Sequence, residues 1–148
     1  MQLRDYVLLG LHLQANTDFV STKNQAYEGQ VGINFDFKKQ EHEPIFRVDL
    51  QVDINPSEEA FKRAPYRISI ALQAFVEFDK AISEDKISTL LGPNGLAMTY
   101  AIARGIVGQA TGTSLHGKFL LPTVNFIDLL EKKYSSQAVV QKKRKKGK

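Results

Sequence analysis

The chain has 148 residues, of which 43% are hydrophobic and 24% charged, so it fits one ordinary domain that can bury a core without staples. It contains no Cys, which excludes disulfides, thiolate zinc sites and Cys nucleophiles, and Arg104 interrupts the best candidate for the roughly 20 apolar residues of a membrane-spanning helix. The formal charge of +4 is uneven: Lys142, Lys143, Arg144, Lys145, Lys146 and Lys148 supply six positive charges, and removing them leaves −2 on residues 1–141.

The first 14 residues place Arg4 and Asp5 beside apolar side chains, lack a small-residue cleavage site and alternate in hydrophobicity, so they read as a strand rather than a signal peptide. A cytoplasmic protein without membrane insertion is expected. Plain alternation over residues 3–14 sets Val7, Leu9, Leu11 and Leu13 on one face and Leu8, Gly10, His12 and Gln14 on the other. Both faces are partly apolar. Such a strand is either central and covered twice or paired with a partner chain, because an edge this hydrophobic invites aggregation. Residues 16–30, with Thr, Asn, Ser and Gly around isolated Phe19 and Tyr27, read as a crossover whose aromatics either tether the loop to the core or contact a ligand.

Residues 31–38 alternate Ile33, Phe35 and Phe37 with Asn34, Asp36 and Lys38, the pattern of a half-buried strand. After the polar turn 39–44, residues 46–55 alternate Val48, Leu50, Val52 and Ile54 with Arg47, Asp49, Gln51 and Asp53, which predicts a hairpin. A short helical turn is expected from about Ser57. Residues 66–78 form a further strand, with Ile68, Ile70, Leu72, Ala74, Val76 and Phe78 on one face. Ser83 is the expected cap of a short helix to Leu91, stopped by Gly92.

Pro93 suits the first turn of a new helix. Met98, Ile102, Ile106 and Val107 recur at helical spacing, while Ala97, Ala101, Ala103, Gly105 and Gly108 keep that helix thin. Gly costs about 1 kcal/mol against Ala inside a helix, so Gly105 and Gly108 imply a close neighbour or an earlier helix end; the neighbour is either the chain's own sheet or a second copy. The apolar connector Phe119-Leu120-Leu121-Pro122 follows, then a second helix with Asn125 as N-cap and Phe126, Leu129, Leu130 and Lys133 along one face and its edge. Residues 1–135 are taken as the domain and 136–148 as a basic, disordered tail. Strands first and helices last give an α+β fold, a four-stranded antiparallel sheet with terminal helices packed on one face.

Two motifs carry a resemblance. Pro122-Thr123-Val124-Asn125-Phe126 followed by Leu129-Leu130 resembles the Pro-x-Asn-Phe signature that opens the last helix of SecB-type chaperones, with one more residue between Pro and Asn. Pro93-Asn94 followed by a helix ending in Ala103-Arg104-Gly105 resembles that family's main helix and its Arg-Gly end. The resemblance spans residues 3–133 and is specific over 93–130. It implies a four-stranded antiparallel sheet with a long crossover after the first strand. It implies a homotetramer, a dimer of dimers, with Leu8, Gly10, His12, Ala101, Gly105 and Gly108 at the oligomer interface. It also implies ATP-independent holding of unfolded polypeptides without a cofactor, keeping them export- or assembly-competent. Phe19, Tyr27, Phe119, Leu120 and Leu121 are the apolar client contacts available outside regular structure. Export-dedicated members carry carboxylates that receive the SecA motor's tail; here Gly10 and Gln14 stand at those positions in the first strand, and Arg67 and Ser69 match best in the fourth. SecA is therefore a doubtful partner, and an antitoxin, the client of SecB-like proteins in toxin–antitoxin systems, is the alternative.

Catalytic patterns are missing. His12, His42 and His116 lack a second His at ligand spacing, and Glu41-His42-Glu43 sits on a turn tip where adjacent side chains diverge, so no metal is expected. Ser114 and His116 have no acid partner, and Gly92-Pro93-Asn94-Gly95 lacks the Lys of a P-loop. The chain is not expected to be an enzyme. The competing class is a binding module contacting nucleic acid weakly through residues 142–148, set against a purely solubilising tail.

Overall fold

The protein is described by a computed structural model over residues 1–21 and 29–147. Strands β1 (Gln2–Ala15), β2 (Val31–Lys39), β3 (Ile45–Ile54) and β4 (Tyr66–Glu77) form one antiparallel sheet in the order β1-β4-β3-β2. Helix α1 (Glu58–Lys62) precedes β4; α2 (Glu84–Leu90), a π-helical turn (Leu91–Gly95), α3 (Leu96–Thr111) and α4 (Phe126–Lys146) follow it. This is the expected α+β order.

Period-2 sequence produces a one-sided core. On β4, Tyr66, Ile68, Ile70, Leu72, Ala74 and Val76 are each at most 1% exposed, while the residues between them are half-buried. β3 matches with Val48, Leu50, Val52 and Ile54. The buried face lies under α3, which packs on β3 and β4 and contributes Leu96, Tyr100, Ala103 and Val107 to the core. Each large aliphatic side chain removed from water contributes about 1.5–3 kcal/mol, so this layer supplies the main favourable term of the fold.

Strand β1 departs from plain alternation. Its register with β4 shifts between Leu3 and Asp5 and again between Leu8 and Gly10, and each extra residue of such a bulge exchanges the faces of everything beyond it. Leu3, Tyr6, Leu8, Leu11 and Leu13 therefore lie opposite Val76, Ala74, Leu72, Ile70 and Ile68 on the helix-covered side, while Val7, Gly10, His12 and Gln14 lie opposite Gln73, Ala71, Ser69 and Arg67 on the other. Leu8 consequently does not share a face with Gly10 and His12. Position in the sheet decides between the two readings of the strand: β1 is at an edge, with Tyr6, Val7, Leu8, Leu9 and Leu11 between 37% and 59% exposed.

Three helix signals need correction. Ser57 and Asn125 do cap their helices, their side-chain oxygens accepting from Ala60 N at 3.2 Å and Asp128 N at 3.3 Å. Ser83 holds the N-cap position without a side-chain hydrogen bond. Gly92 does not stop α2, because Gly92 and Pro93 fall within a π-helical turn that leads directly into α3; a wider turn suits a residue without an N–H. What Gly92 provides is room, since a Cβ there would stand 3.2 Å from Leu130 Cδ1. Finally, the basic residues taken as a disordered tail continue α4 to Lys146. No Gly or Pro interrupts residues 126–146, Lys, Arg, Gln and Ala favour helix, and cations suit the negative end of the helix dipole.

Candidate functional site

The connector between α3 and α4 is fixed to the end of the sheet where β1 finishes and β4 begins. Gly117 has φ +77°, the left-handed conformation that Gly adopts without a Cβ penalty, and the turn there is held by Tyr66, whose hydroxyl donates to Gly117 O at 2.7 Å and accepts from His116 N at 2.9 Å. The His116 ring bonds Asn16 O through Nε2 at 2.6 Å and packs edge-on against Phe19 and Tyr66 at 5.4 and 5.7 Å. Asn16 in turn donates from Nδ2 to Phe61 O at 2.9 Å. Further along, Phe119 N donates to Thr111 Oγ1 at 2.8 Å, and Tyr100 donates its hydroxyl hydrogen to Pro122 O at 2.6 Å. Burial raises the Tyr100 pKa to about 12, partly offset by Arg104.

This anchoring fixes which connector side chains turn outward. Leu115 and Leu120 are exposed, as is Val20 on the crossover. Phe119 is half-buried with its ring edge-on to Tyr66 at 6.2 Å, and Phe19 is half-buried against His116. Leu121 is 0% exposed and belongs to the core, so its assignment as a client contact is corrected: with Phe119 N and Pro122 O both tied to α3, the intervening Leu121 packs inward. Tyr27 lies outside the described residues. Val20 and Leu115 are not among the expected contacts: Leu115 stands alone between Ser114 and His116, and Val20 directly follows Phe19.

The residues assigned to an oligomer interface separate into two groups. Leu8, Gly10, His12, Ala101 and Gly105 are exposed, and a Cβ at Gly10 or Gly105 would meet nothing within 4 Å. Gly108 is buried by the chain's own connector, where a Cβ would stand 3.1 Å from Leu120 Cδ2 and 3.4 Å from Lys118 Cε. Its close neighbour is therefore within the chain. Arg104, Gly105, Gly108, Gln109, Lys118 and Leu120 edge a hollow of about 420 Å³ beside it.

On the sheet face that the helices leave uncovered, Gly10, His12 and Gln14 sit beside Ala71, Ser69 and Arg67. Glu58 is the carboxylate that meets Arg67 there, at 2.8 Å. Arg47 pairs with Asp49 at 2.9 Å elsewhere on the same face. Among the described residues, no group of three or more His, Asp or Glu could hold a metal ion, and no helix is long and apolar enough to cross a membrane.

No protein-family model matches the chain, and no curated protein matches it in sequence. Among solved structures, it is similar to a SecB-like chaperone of Mycobacterium tuberculosis in complex with a ChAD peptide from the HigA1 antitoxin, with 15% identity and a TM-score of 0.59 over 84% of this chain and 90% of that one. It also matches a protein of unknown function from Streptococcus agalactiae, with 12% identity and a TM-score of 0.42 over 82% of this chain and 96% of that one. The first likeness shows that the chain has a SecB-like fold.

Proposed function

We propose that this chain is an ATP-independent chaperone of SecB type, which retains non-native polypeptide on apolar side chains exposed by rigidly held connectors. The observation that carries the reading is the outward presentation of Leu115 and Leu120 from a connector tied by Tyr66, Thr111 and Tyr100. Apolar burial contributes roughly 25 cal/mol per Å² and is non-directional, so several such contacts can hold an extended chain without a fixed client sequence. The SecB-like fold, and the peptide held by the similar mycobacterial protein, support a polypeptide client. Val20, with half-buried Phe19 and Phe119, extends the apolar contacts.

The client class we favour is an antitoxin rather than preproteins delivered to SecA. The observation for this is the sheet corner of Gly10, Gln14, Ser69 and Arg67, where the carboxylate of Glu58 is already paired with Arg67. None of these four positions carries a carboxylate, whereas the resemblance places the carboxylates that receive SecA at such positions.

Replacing Val20, Leu115 and Leu120 together by Ser tests the reading. All three are exposed, so circular dichroism melts should change little, while suppression of client aggregation should fall at both low and high salt. A variant that melts normally and protects a client as well as the parent chain sinks the assignment.

A further inference from the structure

The second half of α4 projects from the body as a rod without a described partner. Residues 134–145 are all exposed, and at 1.5 Å rise per residue they extend roughly 18 Å. Asp128 and Glu131 are the last acidic residues of the sequence. Lys142, Lys143, Arg144 and Lys145 have no ion-pair partner among the described residues. Successive helical residues turn by about 100°, so these four cations point to every side of the rod. Complementing the helix dipole favours cations in the last turn, but it does not call for cations on every side of the rod.

We propose that the cationic end of α4 is a binding site for the phosphate backbone of a nucleic-acid duplex. Cations on all sides suit a groove whose two walls both carry phosphates, and the major groove of B-form DNA is wide enough to admit an α-helix. A helix lying in the interface of an anionic membrane would instead require one apolar stripe opposite the charges. Exposed Val139 and Val140 are neighbours about 100° apart, and exposed Tyr134 lies about 140° from Val139, so no such stripe forms. The site reads charge and groove width, not base sequence, and it is independent of client holding.

The test uses the full chain and the variant Lys142→Gln, Lys143→Gln, Arg144→Gln and Lys145→Gln, with Gln keeping helix propensity. Binding to a short random-sequence DNA duplex, a matched RNA duplex, polyglutamate and phosphatidylserine vesicles is followed by fluorescence anisotropy or co-sedimentation across a salt series. The expected result is DNA binding by the parent chain with a log–log salt slope of about −2 to −3, for two or three phosphates neutralised at about −0.9 each. The variant should bind at least about tenfold more weakly, with unchanged circular dichroism and unchanged aggregation suppression. RNA duplex binding as tight as DNA would keep the phosphate site and place it outside the groove, overturning the groove geometry. Equal binding of polyglutamate or vesicles, or retention of DNA binding by the variant, overturns the proposal.

Discussion

Leu120 and Leu121 are adjacent, yet one is 47% exposed and the other 0%. Replacing buried Leu by Ala costs about 2–5 kcal/mol, whereas changes at exposed positions usually stay within about 0.5 kcal/mol. Chemical denaturation should therefore show Leu121→Ala strongly destabilised and Leu120→Ala near the parent value. The sequence marks both as apolar residues before Pro122, but it does not say which turns inward. That depends on hydrogen bonds to Thr111 and Tyr100, partners 8 and 22 residues away. Tyr100 adds a pH signature. Its hydroxyl titrates near 12 in the folded chain against 10 when unfolded, so between those values the unfolded state loses the proton first and stability falls as pH rises. Below pH 10 this contribution is fully present. Melting curves of Tyr100→Phe should lack that part of the alkaline decline; an identical decline in both proteins would place its cause elsewhere.

At the scale of elements, legibility follows how many faces are buried. β3 and β4 were readable because one face is sealed by α3 and each hydrophobic residue recurs at period 2. β1 was readable as a strand but not in its facing, because two bulges reset the alternation and exposure on both sides leaves no contrast to reveal the reset. Gly92-Pro93 reads as punctuation by local rules, yet tertiary packing against Leu130 carries the helical path through it. α4 extends beyond its expected end because the charged residues that suggest a disordered tail are also good helix formers. Ala138→Pro checks that extension. A proline in a helix interior costs about 3 kcal/mol or more, and residues 134–145 are exposed. The far-ultraviolet helical signal should drop while the melting temperature of the body stays in place. An unchanged signal would mean that the end of α4 is not helical in solution.

At the scale of the molecule, the fold leaves apolar surface that one chain does not cover. β1 is the 14-residue edge of the sheet, and natural edges are normally blunted by charge, Pro or cover. Here Tyr6, Val7, Leu8 and Leu9, with Leu11 two positions on, are exposed, Tyr6, Leu8 and Leu11 on the helix-covered side of the sheet and Val7 on the other. A second β1 would satisfy the unpaired backbone groups of that edge, and closed symmetric assemblies are the common outcome of such self-pairing. We therefore expect a homotetramer, with the thin face of α3 at Ala101 and Gly105 as its second contact. Light scattering at micromolar concentration should give four times the 16.6 kDa protomer mass. Two substitutions separate the contacts. Leu8→Asp with Leu11→Asp puts like charges into the strand pairing, and should dissociate the assembly to species smaller than a dimer of dimers. Gly105→Leu acts on the helix contact alone: within one chain its Cβ meets nothing within 4 Å, so the protomer loses little, while bulk added at a tight interface typically costs about 1–3 kcal/mol. Dilution should then split the Gly105→Leu tetramer at higher concentration than the parent. Equal dissociation of the two proteins would remove α3 from the interface, and a monomeric parent chain would leave the exposed β1 edge to be explained by a different partner.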